Sequence, residues 1–196
     1  MLKRYFDLYN EIAEKYSESK IVYSTPEGRK RYRIIGRILQ EGWGLTLDVG
    51  CGDGVYKQFI DAYVGLDPAK ASLLRFKGIR VRGIAQKIPF KANVFDRVLL
   101  SEVLEHIFER EEVLREIWRV LKLNGQLIVS VPYGSEPFRL TFPQKLYEAG
   151  VTPQLYLHGA FPIDYLKSLL ECCRFKVEMI MLLGESHLIA IARNRG

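Results

Sequence analysis

The chain is poor in cysteine. Its three, Cys51, Cys172 and Cys173, show no metal-ligand spacing, and an adjacent pair does not easily bridge to itself. Neither a disulfide scaffold nor a zinc site is expected. Long apolar runs are missing too, with nothing near the ~18 residues needed to cross a bilayer. The opening stretch "MLKRYFDLYNEIAEKYSE" mixes charges into its apolar positions, so it lacks the core of a secretion signal. A cytoplasmic protein with no membrane span is expected. There is no internal repeat and no low-complexity linker.

What is present suits one well-buried core: 196 residues, 48% hydrophobic and 27% charged. The formal charge is +6, drawn partly from "GRKRYR", residues 28–33. Such a run usually lies on a solvated helix face, although it could also attract an anionic substrate, RNA or a lipid surface.

Periodicity divides the chain. Phe6, Tyr9, Ile12, Ala13 and Tyr16 fall on one face of a helix over 2–16. Pro26 suits the first turn of a second helix that runs to the breaker "EGWG". Strands and helices then alternate. The pattern predicts strands ending at Val49 and Asp67, over Ile79 to Ile84, and over Asp96 to Ser101. Helices are expected through Val55 and Phe59, from Pro68 to about Phe76, and over "EEVLREIWRVLK", where Asn124-Gly125 should end the helix before the strand "QLIVSV". A helix near Ile163 to Cys173 and the runs "FKVEMIML" and "SHLIAIA" close the chain, the two runs pairing as an antiparallel hairpin. The fold class is therefore α/β, with a mostly parallel sheet covered on both faces. One domain is expected, with a helical cap at 1–44, a core at 45–131, a lid segment at 132–161 and a closing helix and hairpin at 162–196.

The densest chemical signal is "LDVGCGDG", residues 47–54, where the first strand turns into its helix. Ligands of open α/β sheets bind at such strand tips, and glycine lets a ligand reach the backbone. The dinucleotide pattern G-x-G-x-x-G fails here. Its third glycine would be residue 55, which is Val55, and Asp53 brings negative charge to the place a pyrophosphate would occupy. A phosphate-free ligand fits better. Asp67 ends the second strand, where a carboxylate can accept from both hydroxyls of a ribose; alternatively, Asp67-Pro68 caps the following helix.

"LDVGCGDG", "GLDP", "IPFKANVFDRVLLSEVLEHI", "REIWRVLKLNGQLIVSVP" and the closing hairpin together resemble class I methyltransferases that use S-adenosylmethionine. The resemblance implies a doubly wound, seven-stranded, Rossmann-like sheet with its last strand antiparallel. It places Asp48, Gly50, Cys51 and Gly52 along the methionine part of the donor and Asp67, followed by Pro68, at the ribose. Ala85 and Gln86, in "GIAQKIPF", would face adenine, although Ile84 stands where the family usually has Asp. Ser101 would offer its carbonyl to the methionine amino group, and Tyr16 resembles a cap tyrosine that touches the carboxylate. The product would be S-adenosylhomocysteine, and no metal is expected.

Transfer from a sulfonium needs alignment and dryness more than a triad. His106, His158 or Tyr133 could serve as a base for a protonated acceptor. The glutamates at 102, 105, 109, 111 and 112 read as a solvated helix face. A small-molecule acceptor leads, with nucleic acid or protein as alternatives, since no RNA-binding module is appended. Two other readings compete: a noncatalytic partner subunit keeping this fold, and a nicotinamide-dependent oxidoreductase.

Overall fold

A computed structural model describes residues 2–15, 17, 24–134 and 159–196, with backbone alone at 2–5. Tyr16 and His158 lie outside the described residues, as does most of the segment read as a lid. Seven strands form one sheet: β1 (Thr46–Val49), β2 (Tyr63–Asp67), β3 (Ile79–Arg82), β4 (Phe95–Ser101), β5 (Leu121–Pro132), β6 (Phe175–Leu183) and β7 (His187–Asn194). Their order is β3-β2-β1-β4-β5-β7-β6. Neighbours from β3 to β5 pair in parallel, while β7 runs antiparallel to both β5 and β6.

The β1, β2 and β4 strands are buried along nearly their whole length, as a sheet covered on both faces requires. Alternate residues divide between two cores. Leu47, Val98, Leu100 and Val129 pack with Val113, Leu114 and Ile117 of α4 (Arg110–Val120) and with Leu166 and Leu170 of α5 (Ile163–Cys172). Leu99, Ile128 and Ile189 face the other way, toward Tyr32, Ile35 and Leu39 of α2 (Pro26–Glu41) and Leu73 of α3 (Lys70–Arg75). Thr25 caps α2 by accepting from Gly28 N, and Pro26 begins it. Helix α1 (Leu2–Lys15) lies against α3: Asn10 Oδ1 accepts from Ala71 N at 3.0 Å, and Ala13 O accepts from Arg75 Nη2 at 3.1 Å.

Four local expectations need correction. Val55–Phe59 is a 3-10 turn rather than an α-helix, a short piece fitted between the glycine turn and β2. Helix α3 begins at Lys70, so Pro68 stands outside it and Ala69 is its cap residue. The third strand stops at Arg82, with Ile84 only bridging to Lys87. Asn124-Gly125 does not separate a helix from a strand: β5 starts at Leu121, directly after α4. Asn124 does take the left-handed conformation (φ 60°), but the turn is absorbed as a bulge in which register jumps from Phe95↔Leu121 to Arg97↔Gln126.

Gly54 shows how tightly the first turn is built. It sits at φ 77°, and a Cβ there would run into the ring of Phe76, which is 1% exposed and has no room to move. Gly54→Ala adds a left-handed backbone penalty to overpacking and is expected to lower unfolding stability by about 2–4 kcal/mol in urea titration.

Candidate cofactor and acceptor site

The turn after β1 is fastened to the tip of β2. Leu66 O accepts from Gly50 N (2.7 Å) and Cys51 N (3.1 Å), Asp67 Oδ2 accepts from Gly52 N (2.9 Å), and Cys51 O accepts from Gly54 N (2.8 Å). The amides that would have cradled a phosphate are thus already committed inside the protein. Gly50 (φ 74°) is forced: a Cβ there would collide with Val103, on the turn after β4. Three strand tips therefore meet over residues 50–52.

Asp67 is 7% exposed. Besides Gly52 N, its carboxylate takes Ala69 N on Oδ1 at 2.7 Å, and each oxygen keeps a further acceptor position. Burial, only partly offset by those two amides, pushes it up to about 6. Asp67 O also holds Gly83 N at 3.1 Å, which anchors the segment carrying Ala85 and Gln86 beside it. Ala85 is buried. Gln86 Nε2 donates to Glu109 at 3.4 Å, while its Oε1 is buried and has no partner among the described residues.

Asp48 is 2% exposed and accepts from the Tyr63 hydroxyl. Burial, against that hydrogen bond and with Asp67 nearby, pushes it up to about 7. Cys51 is buried, its sulfur close to Gly65.

At the end of β4 the side chain of Ser101 touches Ser130 Oγ (3.0 Å) and Tyr56 OH (3.4 Å). The next residue corrects the reading of the glutamates. Glu102 is not a solvated helix-face residue but the centre of a half-buried polar network. Arg31 Nη1 lies 3.0 Å from one of its oxygens and His187 Nε2 3.3 Å, and Ser130 Oγ donates to the other at 3.0 Å. Although burial opposes ionisation, Arg31 and His187 hold Glu102 down to about 2. Glu105 is 1% exposed; burial and then the charge of Glu102 raise it well above the usual carboxylate range. Glu109, Glu111 and Glu112 are exposed, as expected. Arg31 likewise departs from the solvated basic run, being 4% exposed. His106 lies on a 3-10 turn (Leu104–His106), with Nε2 3.8 Å from Glu105. Tyr133 is half-buried beside Phe161. The sequence offered no signal for His187, which follows a hairpin turn and meets its partner only in the folded sheet.

Among the described residues no group of three or more His, Cys, Asp or Glu side chains could hold a metal ion, and no helix is long and apolar enough to cross a membrane.

Residues 47–129 match the family model described as a methyltransferase domain. Demethylmenaquinone methyltransferase of Renibacterium salmoninarum is 30% identical over 156 residues, 72% of this chain and 65% of that one. An uncharacterised protein of Methanocaldococcus jannaschii is 30% identical over 130 residues, 64% of this chain and 60% of that one. The chain thus spans under two thirds of these relatives' length. Among solved structures, a SAM-dependent methyltransferase from Thermotoga maritima superposes with TM-score 0.70 at 18% identity, covering 97% of this chain and 99% of that one. The Burkholderia thailandensis 1,6-didemethyltoxoflavin-N1-methyltransferase, with its substrate and S-adenosylhomocysteine bound, gives TM-score 0.67 at 21% identity over 91% and 87%. Residues 47–129 thus match a methyltransferase domain in sequence, and the chain has the fold of the S-adenosylmethionine-dependent methyltransferases it superposes on. The residues present fit that cofactor: a carboxylate with spare acceptor capacity ends β2, an orphaned amide oxygen sits on Gln86, and the glycine turn offers no phosphate nest.

Asp48 gives a pH test of this arrangement. Its folded-state value, about 7, lies above the ~3.9 of an unfolded chain, so the stability linked to its proton is complete below about 4 and lost as pH rises toward 7. Asp48→Asn keeps an acceptor for Tyr63 and removes the buried charge. It should gain stability over the native protein at pH 8, by a few kcal/mol, with the gain shrinking as pH falls toward 5, measured by thermal denaturation across pH.

Proposed function

We propose that this protein transfers a methyl group from S-adenosylmethionine to a small-molecule acceptor. The single observation that carries the reading is the carboxylate of Asp67, fixed at the tip of β2 by two backbone amides and still able to accept from a diol. When bound, the donor supplies an already activated sulfonium methyl.

In this reading Asp67 holds both ribose hydroxyls, with Pro68 turning the chain away behind it. Asp48, Gly50, Cys51 and Gly52 border the methionine part, Asp48 through its grip on Tyr63 rather than by direct contact. Ser101 presents its backbone carbonyl to the amino group. Ala85 packs against adenine, and Gln86 Oε1 accepts from the exocyclic amine, replacing the acidic side chain that Ile84 lacks. The committed amides of residues 50–52 argue against a nicotinamide dinucleotide. The small-molecule acceptor draws support from the Burkholderia enzyme, whose structure holds a compact heterocycle, and from the demethylmenaquinone methyltransferases.

Calorimetric titration with S-adenosylhomocysteine tests the reading. Hydrogen bonds to a charged group are worth ~1.5–3 kcal/mol each, so Asp67→Ala should weaken binding ten- to several-hundred-fold. Affinity in the native protein should fall as pH drops below about 6, where Asp67 takes up a proton, and this pH dependence should vanish in Asp67→Asn. Gln86→Ala should cost about three- to tenfold, and the loss should disappear when the ligand carries hypoxanthine in place of adenine. Tight NAD binding with no S-adenosylhomocysteine binding would contradict the assignment.

A further inference from the structure

The network around Glu102 lies at the carboxyl edge of the sheet, next to Ser101 but beyond the residues that fit the donor. His187 opens β7 opposite Pro132, the last residue of β5. Tyr133 N donates to Ser186 O (2.8 Å), and Gly159 N to Glu105 O (3.0 Å), beside it. Glu102 is held at φ 56°, a left-handed conformation that a non-glycine residue keeps only where surrounding contacts enforce it. Those contacts are Arg31, Ser130 and His187. Two buried polar atoms here, Glu105 Oε2 and Arg31 Nε, have no partner among the described residues. Loss of hydrogen bonds at such depth is costly, so an edge built this way is suited to receive a polar ligand.

We propose that His187 is the general base of the methyl transfer, oriented by Glu102, and that the accepting group is a neutral hydroxyl of the phenol or enol class. The proposal rests on the methyltransferase reading above. The Glu102 carboxylate fixes the ring with its proton on Nε2, which leaves Nδ1 as the acceptor. Ser186 Oγ covers Nδ1 at 2.8 Å but has Leu183 O as a second acceptor at 3.3 Å, so the hydroxyl can rotate and free Nδ1 without losing a partner. His187 Nδ1 then takes the acceptor's O–H proton as the oxygen–methyl bond forms. The methyl–sulfur bond breaks at the same time, and its electron pair stays on sulfur as a neutral thioether. Glu102 stabilises the resulting imidazolium, which passes its proton to water. The charged group against His187 is Glu102 after β4, and behind it stand Arg31 of α2, paired to Glu102, and Glu105 of the 104–106 turn. Arg31 already pairs with Glu102 at 3.0 Å, so the carboxylate that meets His187 is committed to a cation of the protein's own and is poorly placed to bind an ammonium acceptor.

The test uses the full chain, radiolabelled donor, 4-methylphenol and 1,4-dihydroxynaphthalene as hydroxyl probes that stay neutral at assay pH, and benzylamine as an amine probe. His187→Gln is expected to lower kcat toward a hydroxyl probe by about 10²–10⁴-fold and to flatten the acid side of its pH profile, with S-adenosylhomocysteine affinity unchanged within about threefold. Glu102→Gln should lose less rate and shift that profile. A rate preserved in His187→Gln, or transfer to benzylamine alone, would overturn the proposal. Imidazole 15N spectra of the native protein loaded with S-adenosylhomocysteine give a readout independent of turnover and of how the variants fold. The Nε2–H tautomer at His187, with an Nδ1 resonance that moves on adding 4-methylphenol, supports the proposal; the other tautomer or an unmoved resonance overturns it. Failure of the native chain to bind S-adenosylhomocysteine would instead defeat the donor reading on which this one stands.

Discussion

The site depends on one constraint, the fastening of the turn after β1 to the end of β2. Leu66 O receives two amides of that turn and Asp67 a third, so the loop is folded onto its neighbour before any ligand arrives. The price is that those amides are lost as ligand donors. What remains at the strand tips is a carboxylate, the backbone of bare glycine positions and the edge of the 83–87 segment, which Gly83 N hangs on Asp67 O. This set suits a sugar diol and a base, and it suits a phosphate poorly.

A second consequence is electrostatic. Buried acids crowd one edge, and their surroundings sort them. Asp48 and Asp67 have hydrogen bonds but no adjacent cation close enough to cancel their burial, so both are pushed upward. Glu102 has a guanidinium and an imidazole against it and stays ionised. Glu105 is raised by burial and by the charge of Glu102, which Arg31 and Arg110 only partly offset. Arg31 does this from α2, so the N-terminal helices take part in the chemistry of the edge as well as covering it.

The sheet was legible because its signals are local: strands four to twelve residues long, helical stripes between them, and a hairpin separated by three residues. The glycine turn and Asp67 were legible for the same reason. Errors arose where tertiary context overrode a local rule. Asn124-Gly125 carries the residues of a helix stop, yet the pairing of β5 with β4 turned it into a bulge. Glu102 and Glu105 read as one more charged helical face until Arg31, distant in sequence, was brought against Glu102. His187 had no motif at all, since its partner Glu102 lies far away in sequence and meets it only across the folded sheet. Ile84 raised a real question about the adenine contact, and the orphaned oxygen of Gln86 lay two residues away.

The central claim is that a carboxylate at the tip of β2 grips the donor's sugar while the glycine turn beside it stays free of phosphate. A crystal structure of the protein with S-adenosylhomocysteine tests it most directly. The account predicts both ribose hydroxyls within hydrogen-bond distance of the Asp67 carboxylate, and the adenine amine at Gln86 Oε1. A ligand seated away from Asp67, or a ribose turned from it, would contradict the account.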